Sequence, residues 1–356
     1  MRYSVPALAV AASLLAGVPV RAEDPIDDLI FGRFRDYVES LRTQAGIPGL
    51  AAAIVGPDDI LWEHAFGWQD LERSIATRTD TPFHLDGLTQ VFTASLVLRC
   101  VEEGRLSLDD RIGRFDSASP DANATLRQVL THTSGTPDNL VFAHQPERLA
   151  PLASAIRTCT GDSFRESTTD LLDRLAMTDS VPGPDVIRLT PPAEGIPSPA
   201  ARERYTGLLA RLARSYAVDR QGRPSPSSAA ATSLTPTAGL IATVRDVAKF
   251  DVAMRNGVLL RRDTLAAAWR APLGSGDRRL PHGMGWFVQT YNGETVVWQF
   301  GLGENASSSL VMTLPARELT LILLANGDGL VKGFAPAAGD VTASPFARLF
   351  LGTFVR

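Results

Sequence analysis

Thr81-Pro82-Phe83-His84-Leu85-Asp86-Gly87-Leu88-Thr89-Gln90-Val91-Phe92-Thr93-Ala94 runs into an apolar stretch that reaches Val101, followed by Glu102-Glu103-Gly104-Arg105-Leu106-Ser107-Leu108-Asp109-Asp110. The apolar run predicts a buried helix that begins near Asp86. At its start, Asp86 can cap the free N–H groups, or Gly87 can hold the cap position with Gln90 reaching back as a capping box. Thr243-Val244-Arg245-Asp246 predicts a second capping box before a later apolar run, and no chemistry is assigned to Asp246.

Outward from this helix, the two ends of the chain read alike. Leu29, Ile30, Phe34, Tyr37, Val38 and Leu41 recur at helical spacing, predicting an amphipathic helix from about Ile26 to Gln44. Leu50 to Val55 and Ile60 to Phe66 are apolar runs separated by Gly56-Pro57-Asp58-Asp59, the pattern of a β-hairpin. Near the other end, Gly285 to Tyr291, Thr295 to Phe300, Ser308 to Leu314 and Leu319 to Ala325 are strand-like. Their connections are Asn292-Gly293, the Gly301 to Asn305 loop and Pro315-Ala316-Arg317-Glu318. Such short links require antiparallel neighbours, since a parallel pair needs a long crossover. Both ends are therefore expected to build one antiparallel sheet, covered by the first helix and by a last one around Ala343 to Phe350. The middle, with Pro- and Gly-rich excursions at Val181 to Pro199 and Asp219 to Ser228, is expected to be mainly helical. The expectation is an α+β fold with a sheet lobe (23–85 and 234–356) and a helical lobe (86–233).

The stretch quoted first resembles the serine β-lactamase and D-alanyl-D-alanine carboxypeptidase (penicillin-binding-protein-like) family, in its class C and esterase-like branch. Members show a phenylalanine, Ser-x-x-Lys, Phe-Thr-Ala, and then Glu-Glu-Gly-x-Leu-x-Leu-Asp-Asp. Leu130-Thr131-His132-Thr133-Ser134-Gly135, Leu175-Ala176-Met177-Thr178-Asp179-Ser180, Ala238-Gly239-Leu240 to Phe250, Gly283 to Val288 and Leu314 to Gly329 resemble further family segments in the family's order. The resemblance implies a β-lactamase/transpeptidase-like fold over residues 23–356.

It also implies where chemistry should be, and there the sequence departs from the pattern. Acyl transfer in this family needs a hydroxyl nucleophile and a lysine one helical turn later, on the same face, with its pKa lowered enough to serve as base. Gly87 stands at the serine and Gln90 at the lysine. The only lysines are Lys249 and Lys332, preceded three residues earlier by Asp246 and Gly329, so no Ser-x-x-Lys occurs anywhere. Counting back from Thr160-Gly161, His144 and Pro146 take the positions of the family's Tyr-x-Asn. Val297-Trp298-Gln299-Phe300-Gly301 resembles the Trp-His-x-Gly version of the third motif, with Gln299 for histidine and Gly301 kept. The family's oxyanion hole uses backbone N–H groups, here of Gly87 and a residue near Leu302 or Gly303, and these do not depend on side-chain identity.

The first residues fit a secretory leader cleaved after Ala22, with an apolar part too short for a membrane span, so a periplasmic or secreted product is expected. Cys100 and Cys159 each sit in an apolar helical context where a buried free thiol is the commoner state, and the sequence does not show that they pair. A formal charge of −4 without a basic run argues against nucleic acid. His64, His84, His132, His144 and His282 show no zinc spacing, and no metal or other cofactor is expected. His132 is read as a packing and hydrogen-bonding residue of its turn. Thr89, two residues beyond the nucleophile position, is rotated roughly 200° around the helix, away from the site. The leading expectation is an exported pseudoenzyme whose cleft binds cell-wall peptide, β-lactam or ester-like ligands. The alternatives are a hydrolase with a relocated nucleophile and a non-catalytic protein partner of an active relative.

Overall fold

In the computed structural model, which describes residues 25–331 and 335–355, the helices follow in chain order: α1 (Pro25–Gln44), α2 (Thr89–Glu102), α3 (Leu126–Leu130), α4 (Leu152–Thr160), α5 (Phe164–Arg174), α6 (Pro199–Ala210), α7 (Val244–Arg255), α8 (Arg262–Ala268) and α9 (Pro345–Phe354). The strands are β1 (Gly49–Val55), β2 (Ile60–Asp70), β3 (Ile75–Ala76), β4 (Phe83–His84), β5 (Val181–Pro182), β6 (Tyr216–Val218), β7 (Pro224–Pro226), β8 (Leu240–Ala242), β9 (Phe287–Tyr291), β10 (Glu294–Gly303), β11 (Ser307–Leu314) and β12 (Leu319–Ala325). The expected leader, residues 1–22, and Lys332 lie outside the described residues.

The two ends of the chain meet in one seven-stranded antiparallel sheet of order β3-β2-β1-β12-β11-β10-β9. The junction is β1 with β12, in register from Leu50 opposite Ala325 to Val55 opposite Thr320. Side chains alternate along each strand, so one sheet has two apolar faces. Leu50, Ala52 and Ile54 join Phe34 and Val38 of α1 and Phe346 and Phe350 of α9 in one core. Ala51, Ala53 and Val55 join Phe92 of α2 and Phe250 of α7 in the other, where those two rings stack at 4.0 Å. Asn292 and Gly293, at φ 47° and 81°, make the tight turn between β9 and β10 that the Asn-Gly pair predicts, because a type I′ turn needs positive φ at both positions.

Three features differ from expectation. First, the glycine-containing segment after Phe300 is not all loop: β10 runs to Gly303 and pairs with β11 as far as Ser307. Glycine serves there for close approach rather than for turning. Second, Val181–Pro182, inside the first Pro-rich excursion, and Phe83–His84 both pair with Leu240–Ala242 in a small three-stranded sheet. Third, the expectation of free thiols is overturned, since Cys100 of α2 and Cys159 of α4 form a disulfide with Cα atoms 6.1 Å apart. Helix packing brings together residues separated by 59 positions, which neither local context could reveal.

The Thr243 capping box is only half formed. The Thr243 hydroxyl accepts the Asp246 N–H at 3.2 Å, but the Asp246 carboxylate does not return the bond. It accepts from the Asp179 N–H and the Ser180 hydroxyl, at 2.8 and 2.9 Å, and pairs with Lys249. A tertiary contact with the segment before β5 has taken the carboxylate that a local motif would use.

Candidate functional site

Asp86, Gly87 and Leu88 form a single 3-10 turn that leads into α2. Neither Asp86 nor Gly87 caps it: the cap positions of the turn and of α2 are Leu85 and Leu88, both without a side-chain cap bond. The capping expectation fails because both polar side chains have stronger calls on them from across the fold. The buried Asp86 carboxylate accepts from the Ser307 hydroxyl at 2.6 Å and from the Gly303 N–H. Burial raises its pKa, against the opposing effect of these two bonds and of His84. Gln90, also buried, places its amide oxygen 3.2 Å from Nε2 of His132. That makes Nε2 the donor nitrogen of His132.

β10 is pressed directly against the 3-10 turn. A Cβ added to Gly301 would lie 2.1 Å from the Leu85 carbonyl oxygen and 2.5 Å from the Ser309 hydroxyl. At Gly87 it would lie 3.0 Å from the Phe300 carbonyl oxygen and 3.3 Å from the Gln90 amide nitrogen. Gly87 thus faces β10 with backbone only, beside an amide that donates. Its own N–H belongs to a first helical turn, whose N–H groups lack intrahelical partners. Gly301→Ala should cost about 3 kcal/mol, the upper end for overpacking. A fall in melting temperature on the order of 5 °C is expected, and an unchanged melting curve would refute the close contact.

Gln299, which the resemblance sets at the histidine of the third motif, keeps its amide inside the fold. Its amide nitrogen donates to the Gly285 carbonyl at 3.1 Å and lies 3.5 Å from Nε2 of His282, while its oxygen accepts the Phe300 N–H at 2.9 Å. With no charge to hold in solvent, the amide is satisfied internally. His144, expected from the resemblance at the family's tyrosine, stands with its ring 4.9 Å from that of His132 and 5.4 Å from that of Phe300. Its Nε2 is buried without a hydrogen-bond partner. Pro146 opens a 3-10 turn, Pro146–Leu149, and offers no side-chain donor or acceptor. The structure therefore brings Gly87, Gln90, His144, Gln299 and Gly301 to one place and leaves Pro146 without a polar role.

Sequence reasoning missed two parts of this centre. One is His282, whose ring lies 4.7 Å from that of His132 and 5.9 Å from that of Phe142. Its Nδ1 donates to the Gly283 carbonyl at 2.6 Å, and nothing in its neighbourhood in the chain marks it. The other is the Ser307-Ser308-Ser309 run on β11. Three consecutive hydroxyls in a buried strand must each find an acceptor, which was a readable signal. They bond Asp86, the Gly327 carbonyl and the Leu85 carbonyl, at 2.6, 2.6 and 2.8 Å. Asp86 and His132 are also among the few non-glycine residues with positive φ, 48° and 53°. Each conformation costs roughly 1–2 kcal/mol, so the surrounding packing holds both in place.

The three imidazoles are kept neutral. Burial lowers the pKa of His132 well below the ordinary value, and His282 and His144 add to this; burial also lowers His144 and pushes His282 down to about 3. An imidazole depressed below 6.5 supports folding above that pH. As pH falls from 6.5 toward 3 the unfolded chain takes up the proton first, and up to about 1.4 kcal/mol per pH unit is lost. Raised carboxyls such as Asp86 act in the opposite direction, so the test is a difference. Between pH 6.5 and 4.5, urea-unfolding stability should fall about 2 kcal/mol more in the natural protein than in His282→Asn. Parallel pH profiles would remove His282 from this role.

The family model for β-lactamase matches residues 34–342. The chain belongs to the β-lactamase family. Penicillin-binding protein 4* of Bacillus subtilis (strain 168) is 35% identical over 80 residues, 22% of this chain and 18% of that protein. Protein flp of Staphylococcus aureus (strain NCTC 8325 / PS 47) is 26% identical over 100 residues, 26% of this chain and 20% of that protein. The matched stretches thus span about a fifth of the curated relatives' own length. Among solved structures, the octameric penicillin-binding protein homologue from Pyrococcus abyssi superposes with a TM-score of 0.70 at 19% identity, over 90% of this chain and 77% of that one. D-amino acid amidase from Ochrobactrum anthropi SV3 gives 0.69 at 17% identity, over 92% and 98%. At such identities these two likenesses establish the fold, a β-lactamase/transpeptidase-like α+β architecture.

Proposed function

We propose that this β-lactamase-family chain is an exported, non-acylating binding protein, whose crevice at Gly87 holds an acyl or peptide-like ligand reversibly. One observation carries the reading: where the family places a nucleophile and its base, Gly87 presents bare backbone to β10, and the Gln90 amide is bonded to a neutral His132. An amide accepts no proton at ordinary pH, so the pair lacks both attacking oxygen and proton acceptor. A relocated nucleophile finds no support. Among the described residues no serine or threonine hydroxyl hydrogen-bonds a histidine. The nearby hydroxyls of Thr89, Ser307 and Ser309 are engaged by Leu240, Asp86 and Leu85.

Binding is supported by what remains open. Gly87 and His144 are only partly buried, and Leu302 is exposed. The Gln90 amide nitrogen and backbone N–H groups suit a ligand carbonyl or carboxylate. Export is supported by the leader-like first residues and by the Cys100–Cys159 bridge, since disulfides persist in oxidising compartments. Among the described residues no helix is long and apolar enough to cross a membrane.

The test is equilibrium dialysis of residues 23–356 against radiolabelled benzylpenicillin and against an N-acylated D-alanyl-D-alanine peptide. Saturable binding of either, fully released on denaturation, is expected. Label that survives denaturation would overturn the non-acylating reading. Absence of saturable binding to both would overturn the ligand-binding one.

A further inference from the structure

A groove of about 1000 Å³ lies away from Gly87, along the edge strand β9 of the main sheet. Its floor is apolar, with Phe142, Trp269, Leu280, Pro281 and Val288 among the lining residues, and its rim carries Arg270, Arg278 and Arg279. None of the lining residues is acidic, in a protein whose formal charge is −4. Most arginines here have carboxylate partners, as Arg255 has Asp251 and Arg317 has Glu294. These three have none among the described residues, and all three are exposed. The nearby Asp340 carboxylate accepts from Thr342 and Gln289 and makes no ion pair with any of the three.

We propose that this groove is a second binding site, for a small amphiphilic anion: a carboxylate, phosphate or sulfate head on an unbranched apolar body. Three guanidinium groups without internal partners offer planar, charge-assisted donors to such a head. The apolar floor removes the body from water, and the volume lies at the upper end of the range for small-molecule sites. An added peptide strand is disfavoured at this edge, because the chain itself occupies it: the Val288 N–H donates outward to the Pro281 carbonyl at 2.8 Å, and His282 bridges Phe287. Phe142 lines the groove and packs its ring against those of His282 and His132. Gly87, Gln90, His144, Gln299 and Gly301 are not among the lining residues, so the proposal does not depend on the reading of Gly87.

Isothermal titration calorimetry of the intact protein with monomeric sodium decanoate tests the proposal. One saturable site is expected, with affinity at least tenfold above that for inorganic phosphate and for uncharged n-octyl glucoside below its micellar concentration. Arg270→Gln/Arg278→Gln/Arg279→Gln should fold normally, since these side chains are exposed, and should weaken decanoate binding tenfold or more. Saturating benzylpenicillin should leave decanoate binding unchanged, so loss of one site is read apart from the other. Equal affinity for phosphate, or undiminished binding by the triple variant, would overturn the proposal. So would binding to anionic phospholipid vesicles without binding of free decanoate, which would make this a membrane-facing surface.

Discussion

Neither benzylpenicillin nor a chromogenic ester should leave a covalent adduct on this protein in mass spectrometry, and hydrolysis of nitrocefin should stay at the level of buffer. Deleting the nucleophile of an acyl-transfer site costs on the order of a millionfold, equivalent to roughly 8 kcal/mol of barrier. Residues that act as a unit lose their effect together, so Gly87→Ser alone and Gln90→Lys alone should both remain inert. The double variant Gly87→Ser/Gln90→Lys is the informative one. A Cβ at position 87 meets the Phe300 carbonyl at 3.0 Å, which requires β10 to yield by only a few tenths of an ångström. The lysine would lie beside His132, which is held neutral, and burial lowers an ammonium pKa toward that of a working base. Slow covalent labelling of the double variant, with none of the natural protein, is the expected pattern. An adduct on the natural protein would end the pseudoenzyme reading.

Cys100→Ala/Cys159→Ala should lose about 4 kcal/mol of unfolding free energy, the chain-entropy value for a bridge closing a loop of this length. The bridge spans 59 positions and ties α2, which carries Gln90, to α4. In this fold such a loss corresponds to a melting temperature lower by roughly 6 °C. Dithiothreitol should reproduce the shift in the natural protein and leave the double-alanine variant unchanged. A reductant-insensitive melting curve would show that the thiols are not bridged in solution.

Much of the frame was readable residue by residue. Helical spacing gave α1 to within a residue or two, Asn292-Gly293 gave the β9–β10 turn, and short links among late strands demanded antiparallel neighbours. Each depends on local patterning, where side-chain period or allowed φ leaves few alternatives. Gly87, Gln90, His144, Gln299 and Gly301 were singled out only through order and spacing against a family pattern, and the fold brings all five together.

What stayed hidden were the partners. The Asp86 and Gln90 side chains looked like capping groups because capping is the local option; Ser307 and His132, 221 and 42 residues away, offered buried bonds instead. Gln299 was read only as an uncharged replacement for histidine; its partners Gly285 and His282 appear only in the fold. The groove with Arg270, Arg278 and Arg279 unites loops and a strand edge that share no motif. The amino-acid sequence by itself determined the α+β frame and the absence of a Ser-x-x-Lys pair, because periodicity and residue identity are local properties. Only the tertiary structure decided where each buried polar group bonds, whether Cys100 meets Cys159, and which charges stay unpaired. Those outcomes depend on distances between segments that chain order does not encode.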